Sequence, residues 1–197
     1  MSKVFTALSA SVDGYITGRD PHAGHGLGDG GQLFDWYFSG DTSSTVWDGF
    51  KLSADSVRVF DAVAARVGVT LAGRNTYDDS GWADGGTPHP TAPLVVLSHR
   101  PAPAPHDRQT FVSTGIADAI EVARVQAGDK DIALMGGGVT TDALKSGLLD
   151  EVILHQVPVL LGGGRPFFQA LPTHVQLDLV EAVAAPGVTH LHYTVQR

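Results

Sequence analysis

Three stretches of this chain combine residue types and spacing that suit a phosphate group. The first is Met135-Gly136-Gly137-Gly138, set between the apolar run Ile132–Met135 and a helix-patterned segment, Thr140–Ser146. Glycines at such a junction let backbone N–H groups approach a ligand, and a helix N-terminus adds partial positive charge, so an anion is favoured. The same residues would also make a tight strand-to-helix turn, and their spacing is not the dinucleotide fingerprint of a Rossmann fold. The second stretch, Gly73-Arg74-Asn75-Thr76, also follows an apolar run and opens a helix. Arg74 offers a planar fork matched to phosphate, and Thr76 can cap the helix or bond a phosphate oxygen. The third is Ser98-His99-Arg100, at the end of Leu94–Leu97. Taken alone, Arg100 reads as a solvated loop charge. Asp13-Gly14, after the first apolar run, is either a simple turn or a border of the same site.

These residues need a sheet to bring them together. Val4–Ala10, Val69–Ala72, Leu94–Leu97, Thr110–Ser113, Ile132–Met135 and Val152–Leu161 are short apolar runs that read as strands, the last broken or bulged near Pro158. Between them lie helical patterns: Ser53–Ala65, with Ser53 as N-cap and Asp55 in the first turn, Asn75–Asp79, and Ile116–Ala127. Val175–Ala184 and Thr189–Val195 could pair as a hairpin across Ala185-Pro186-Gly187. Strands alternating with helices predict a three-layer α/β/α fold with a mostly parallel mixed sheet and an antiparallel C-terminal hairpin, in one domain spanning 1–197. In open α/β sheets ligands bind beyond the carboxyl ends of strands, which is where all three phosphate-suited stretches fall.

The segment between about residues 18 and 50 is rich in Gly, Asp and Ser and carries Phe34, Trp36, Tyr37 and Phe38. Two readings stay open for it. Trp36 and Phe38 could stack on a substrate ring in a closing lid, or the aromatics could pin a long loop to the body of the protein.

Composition narrows the functions. The 197 residues include 43% hydrophobic and 17% charged side chains, which is a globular balance, and the formal net charge is −8. A field of that sign repels nucleic acid and anionic membrane, though it leaves room for one locally bound phosphate. There is no cysteine, so disulfides, thiolate metal sites and cysteine nucleophiles are excluded. His22, His25, His155, His190 and His192 have no spacing that forces convergence on a metal, and none is expected. His190 and His192 read as surface residues of an edge strand. The sequence carries no signal-peptide pattern and no apolar run long enough to cross a bilayer, so a cytoplasmic setting is expected.

Taken in order, Ser9-Ala10-Ser11-Val12-Asp13-Gly14-Tyr15-Ile16, Gly73-Arg74-Asn75-Thr76-Tyr77, Val96-Leu97-Ser98-His99-Arg100-Pro101, Met135-Gly136-Gly137-Gly138, Leu148-Leu149-Asp150-Glu151 and Pro158-Val159-Leu160-Leu161-Gly162-Gly163-Gly164 resemble the dihydrofolate reductase-like superfamily. The match is nearest to stand-alone relatives of the reductase domain of the bifunctional riboflavin enzyme (RibD C-terminal type). The resemblance implies NADPH lying across the strand ends. Ser9, Ala10 and Ile16 would meet the nicotinamide. Gly73, Arg74, Asn75 and Thr76 would hold the pyrophosphate and the 2′-phosphate side of the adenosine. Ser98, His99 and Arg100 would flank the adenine ribose, and Gly136, Gly137, Gly138, Val139 and Thr140 would contact the pyrophosphate. It implies a reductase of a small conjugated molecule, pterin- or pyrimidine-like, and a homodimer. The first-helix carboxylate of true dihydrofolate reductases is not matched: Ser56 and Val57 stand in that region. Asp13, Asp55 or an ordered water could deliver the proton. The alternatives are an NADP-binding protein without turnover, or a stand-alone reductase of the aminouracil ribose phosphate of riboflavin synthesis. The latter would draw on Lys51 and Arg58 for the phosphate.

Overall fold

Side chains alternate along Asp131–Met135 in a way that requires cover on both faces. Ile132 and Leu134 enter one apolar cluster, while Ala133 and Met135 pack into others on the opposite side. The computed structural model describes residues 2–104 and 106–196. Met1, Pro105 and Arg197 lie outside the described residues.

The strands are β1 (Val4–Ser11), β2 (Thr42–Ser43), β3 (Lys51–Leu52), β4 (Val67–Gly73), β5 (Leu94–Leu97), β6 (Gln109–Val112), β7 (Asp131–Met135), β8 (Glu151–Val157), β9 (Leu177–Ala185) and β10 (Val188–Val195). The helices are α1 (Ala54–Ala65), α2 (Arg74–Asp79), α3 (Ile116–Ala127) and α4 (Gly137–Lys145). Eight strands form one sheet in the order β6-β5-β4-β7-β1-β8-β10-β9. The ladder from β6 to β8 is parallel, and β10 is antiparallel to both of its neighbours. Ala119, Ile120 and Ala123 of α3 and Ala143 of α4 cover one face with Val69, Leu71 and Leu134. Val63 of α1 covers the other with Phe5 and Ile153. This is the three-layer, dihydrofolate reductase-like architecture expected from the sequence.

Local chemistry sets the boundaries. Ser53 caps α1, its Oγ accepting from the Ser56 N–H at 3.2 Å. β8 stops at Val157, because Pro158 has no N–H to continue a ladder, so the longer strand to Leu161 does not form. The hairpin turn is Pro186-Gly187, with Gly187 at φ 76° and Ala185 still in the ladder. β8 lies inside the sheet, so it offers no free edge for pairing with another chain. No helix of the described residues is long and apolar enough to cross a membrane.

Candidate active site

The parallel strands β1, β4, β5 and β7 end side by side, and the residues that follow them enclose a cleft of about 870 Å³. β4 delivers Gly73 to Thr76, β5 delivers Ser98 to Arg100, and β7 delivers Gly136 to Val139. Ser9 and Ile16 form the wall on the β1 side, and Arg165, Pro166 and Gln169 close it. Every residue assigned to the cofactor from the sequence lines this cleft except Ala10 and Thr140. Ala10 is buried within β1. Thr140 is fully buried, with its Oγ1 3.5 Å from Thr6 Oγ1.

The glycines divide the work at the start of α4. Gly136 has φ 102°, and a Cβ there would stand 2.4 Å from Thr76 Oγ1, so the openings of α2 and α4 meet closely. A Cβ at Gly137 would stand 2.3 Å from the Pro166 carbonyl oxygen, so this glycine serves packing. At Gly138 the nearest atom to such a Cβ is Gln169 Nε2 at 3.8 Å, which leaves this position open to the cleft. Among the described residues no side chain caps the first turn of α4, and its backbone N–H groups are available to an anion.

The two arginines converge. Arg74 Nε donates to Asp78 Oδ1 at 2.8 Å, and Arg100 Nη1 lies 3.0 Å from Asp78 Oδ2. Arg74 Nη1 also donates to the Pro101 carbonyl, and Arg100 Nη2 donates to Asn75 Oδ1, both at 2.8 Å. Two guanidinium groups of the cleft wall thus already share one carboxylate, that of Asp78. Sequence reasoning missed Asp78, although its spacing of four residues from Arg74 on a helix was a readable signal. Deeper in, Arg165 pairs with Asp79. The glycine opening of α4 and this arginine pair fit a dinucleotide with an additional phosphate.

Neither carboxylate proposed as proton donor belongs to this cleft. Asp13 Oδ1 accepts from Ser11 Oγ at 2.6 Å and from the Leu161 N–H at 3.1 Å, and Oδ2 accepts from the Gly162 N–H at 2.7 Å. The Ser11 hydroxyl leads these bonds, which outweigh desolvation and lower the carboxyl's pKa. Asp13 is a turn residue, held ionised, that fastens the loop after β8 to the end of β1. Asp55 is exposed in the first turn of α1, where it complements the helix dipole.

The 18–50 segment is packed structure. It contains a 3₁₀ turn at Gly31–Tyr37, and β2 pairs with β3 just beyond it. Trp36 is only 2% exposed, stacks on Tyr37 and donates from Nε1 to Ser9 Oγ at 3.0 Å. It cannot stack on a substrate. Phe38, 59% exposed, sits on the outside of the aromatic cluster and lines neither this cleft nor the cavity beside it. Phe34 is the aromatic that reaches the cleft. It also borders a second cavity of about 290 Å³, which shares Phe34, Ser80 and Met135 with the cleft.

Beneath Trp36 lies a pair of histidines from neighbouring strands. His155 of β8 and His190 of β10 face each other with Nδ1 atoms 2.8 Å apart, and His190 Nε2 is 3.0 Å from Ser56 Oγ. Burial lowers His155 to about 3, with His190 adding to the effect, and lowers His190 to about 4. Both rings are therefore neutral at physiological pH, and one Nδ1–H donates to the other Nδ1. His190 is thus a core residue and not a surface one, because the insertion and α1 cover that part of β10.

An eight-stranded α/β sheet with a glycine-and-arginine cleft across its strand ends defines a dihydrofolate reductase-like protein. Within that class the chain belongs to the RibD C-terminal domain family, whose model matches residues 2–191. It is similar to the uncharacterized protein YwjB of Bacillus subtilis (strain 168), with 27% identity over 128 residues covering 64% of this chain and 73% of that one. Among solved structures it resembles a putative riboflavin biosynthesis protein from Shewanella sp. PV-4, with TM-score 0.69 and 27% identity over the whole of both chains. The RibD of Acinetobacter baumannii shares the fold, with TM-score 0.57 and 13% identity, covering all of this chain and 58% of that one.

Proposed function

We propose that this protein is an NADPH-dependent reductase of a small conjugated organic molecule. Its carrying observation is the cleft in which the uncapped, glycine-lined opening of α4 faces the paired guanidinium groups of Arg74 and Arg100. Membership of the RibD C-terminal domain family supports the same reading. Gly138 and the first turn of α4 would receive the pyrophosphate, and Arg74 and Arg100 the 2′-phosphate, with Asp78 yielding its place between them. Ser9 and Ile16 would border the nicotinamide, and a substrate ring in the second cavity would reach it past Phe34, where the two spaces meet. Bound there, NADPH supplies a hydride, which a C=N or C=O bond of the substrate takes up at carbon while its heteroatom takes a proton from water. The chain's contribution is orientation and exclusion of solvent.

The test is cofactor choice. Arg74→Ala is expected to weaken NADPH relative to NADH by about 1.5–3 kcal/mol, the size of a charge-assisted pair. Calorimetric titration of both cofactors measures it. Equal weakening of the two would show that Arg74 only braces α2 and Pro101.

A second reading, NADP binding without turnover, is favoured by one observation: neither Asp13 nor Asp55 lines the cleft or the second cavity. Oxidation of NADPH over a panel of pterins, quinones and small carbonyl compounds separates the two.

The proposal extends to a homodimer with two-fold symmetry. β9 is an edge strand with Leu179 and Val180 exposed, a surface that pairing would cover. Light scattering at micromolar concentration is expected to report twice the chain mass. A monomer would overturn the assignment.

A further inference from the structure

The second cavity differs in chemistry from the cleft it adjoins. Its walls are the rings of Phe34, Tyr37, Trp47, Phe50, Phe60 and Trp82, with aliphatic groups from β1, β7 and α1 between them. No Asp, Glu, Lys or Arg lines it. The polar atoms within reach are mostly spent. His89 Nδ1 accepts from the Ala92 N–H at 3.0 Å and its Nε2 is 3.2 Å from the Ala64 carbonyl, which fixes a neutral tautomer. Thr70 Oγ1 donates to the Pro93 carbonyl, and His155 Nδ1 is paired with His190. The titratable wall groups stay uncharged: burial lowers His89 and takes His155 to about 3, and burial raises Tyr37 to about 12 against the neighbouring Ser9 hydroxyl.

The two cations that a ribose phosphate would need are elsewhere. Lys51 Nζ donates to Ser43 Oγ at 2.7 Å on the surface, and Arg58 pairs with Glu181 at 3.2 Å. Neither lines the cavity. A phosphate brought inside would lose its water with no charge to replace it. A flat ring would instead meet aromatic faces and edges on several sides. The volume of about 290 Å³ stands at the small end of ligand pockets, which run to about 300–1,000 Å³.

We infer that this cavity takes an uncharged, flat, conjugated molecule of one or two rings with no phosphate group, and that specificity here runs against the phosphorylated substrates of riboflavin synthesis. As the identity of the reduced molecule, the inference rests on the cofactor reading above. As a binding site it stands by itself.

The experiment is calorimetric titration of the full chain with 2-naphthol and with 2-naphthyl phosphate, which share a ring and differ in charge. It is run with and without NADPH. We expect 2-naphthol to bind roughly tenfold or more tightly than the phosphate ester. Trp47, half-buried and packed edge-on against His89 at 5.0 Å, is the residue to remove. Trp47→Ala should weaken 2-naphthol by about tenfold and leave NADPH affinity unchanged. Phe60→Leu, which keeps an apolar side chain on α1, should weaken it by a smaller factor. The inference is overturned if the phosphate ester binds as well as the naphthol, if neither binds, or if 2-naphthol is indifferent to both substitutions. Binding of 2-naphthol at this site in a protein that fails to take up NADPH would overturn the proposed function and leave the cavity's assignment in place.

Discussion

Trp36→Ala is expected to cost the protein about 3–5 kcal/mol of stability, the range for truncating a buried aromatic. The indole is almost wholly enclosed and lies against Tyr37, Phe60, His155 and His190. Alanine would leave a cavity between the insertion and the sheet, and Ser9 Oγ would lose the donor that now reaches it. Denaturant unfolding of the variant and the parent, compared at equal slope, gives the difference directly. The opposite reading of this residue, a movable lid that stacks on substrate, requires a loss below about 1 kcal/mol together with a collapse of turnover. That combination would show that the packed arrangement is not the one that governs Trp36.

Gly138→Val should leave the fold intact and remove NADPH binding, by about 3 kcal/mol or more if two charge-assisted bonds from the first turn of α4 are lost. The space beside Gly138 is open, its backbone is helical, and valine is a better helix former there than glycine. What the new side chain would occupy is the approach to the N–H groups. Gly137 makes the necessary contrast. A side chain there would strike the Pro166 and Phe167 carbonyls, at 2.3 and 2.9 Å, so Gly137→Val should unfold or distort the protein and cannot report on the cleft. Thermal melting sorts the two variants, and an NADPH titration of the Gly138 variant decides the site. Unaltered affinity there would remove α4 from the cofactor's path.

The fold was readable because its signals are local. Ser53 announces a cap three residues from the N–H it accepts, the apolar run of β7 ends at Gly136, and Pro186-Gly187 marks the hairpin. The strand-end rule then carried most of the cleft, since Gly73 ends a strand and Ser98 and Gly136 each follow one. What stayed hidden depends on partners far apart in the chain. His190 looked like strand surface until β8 and β10 paired and the insertion covered it. Asp13 looked like a candidate acid because the N–H groups of Leu161 and Gly162 that hold it belong to another loop. The insertion was the hardest case, because glycine-rich composition suggests motion, and only the burial of Leu33 and Trp36 shows that it is anchored. Phe34, not Trp36 or Phe38, faces the cleft, a distinction set by the short 3₁₀ turn that no periodicity in seven residues reveals.

The two cavities draw on different parts of the chain, and that has a consequence for how such a protein can change. The cleft is assembled from strand ends, where one shifted residue disturbs the whole sheet. The aromatic cavity owes much of its wall to residues 34–60, and it meets the cleft only at Phe34, Ser80 and Met135. Substitutions at Trp47, Phe50 or Phe60 can therefore reshape what is accepted without touching Gly136 or the arginine pair. Selection, in nature or in a laboratory library, has a compact segment on which to explore new molecules while the strand-end cleft is held constant.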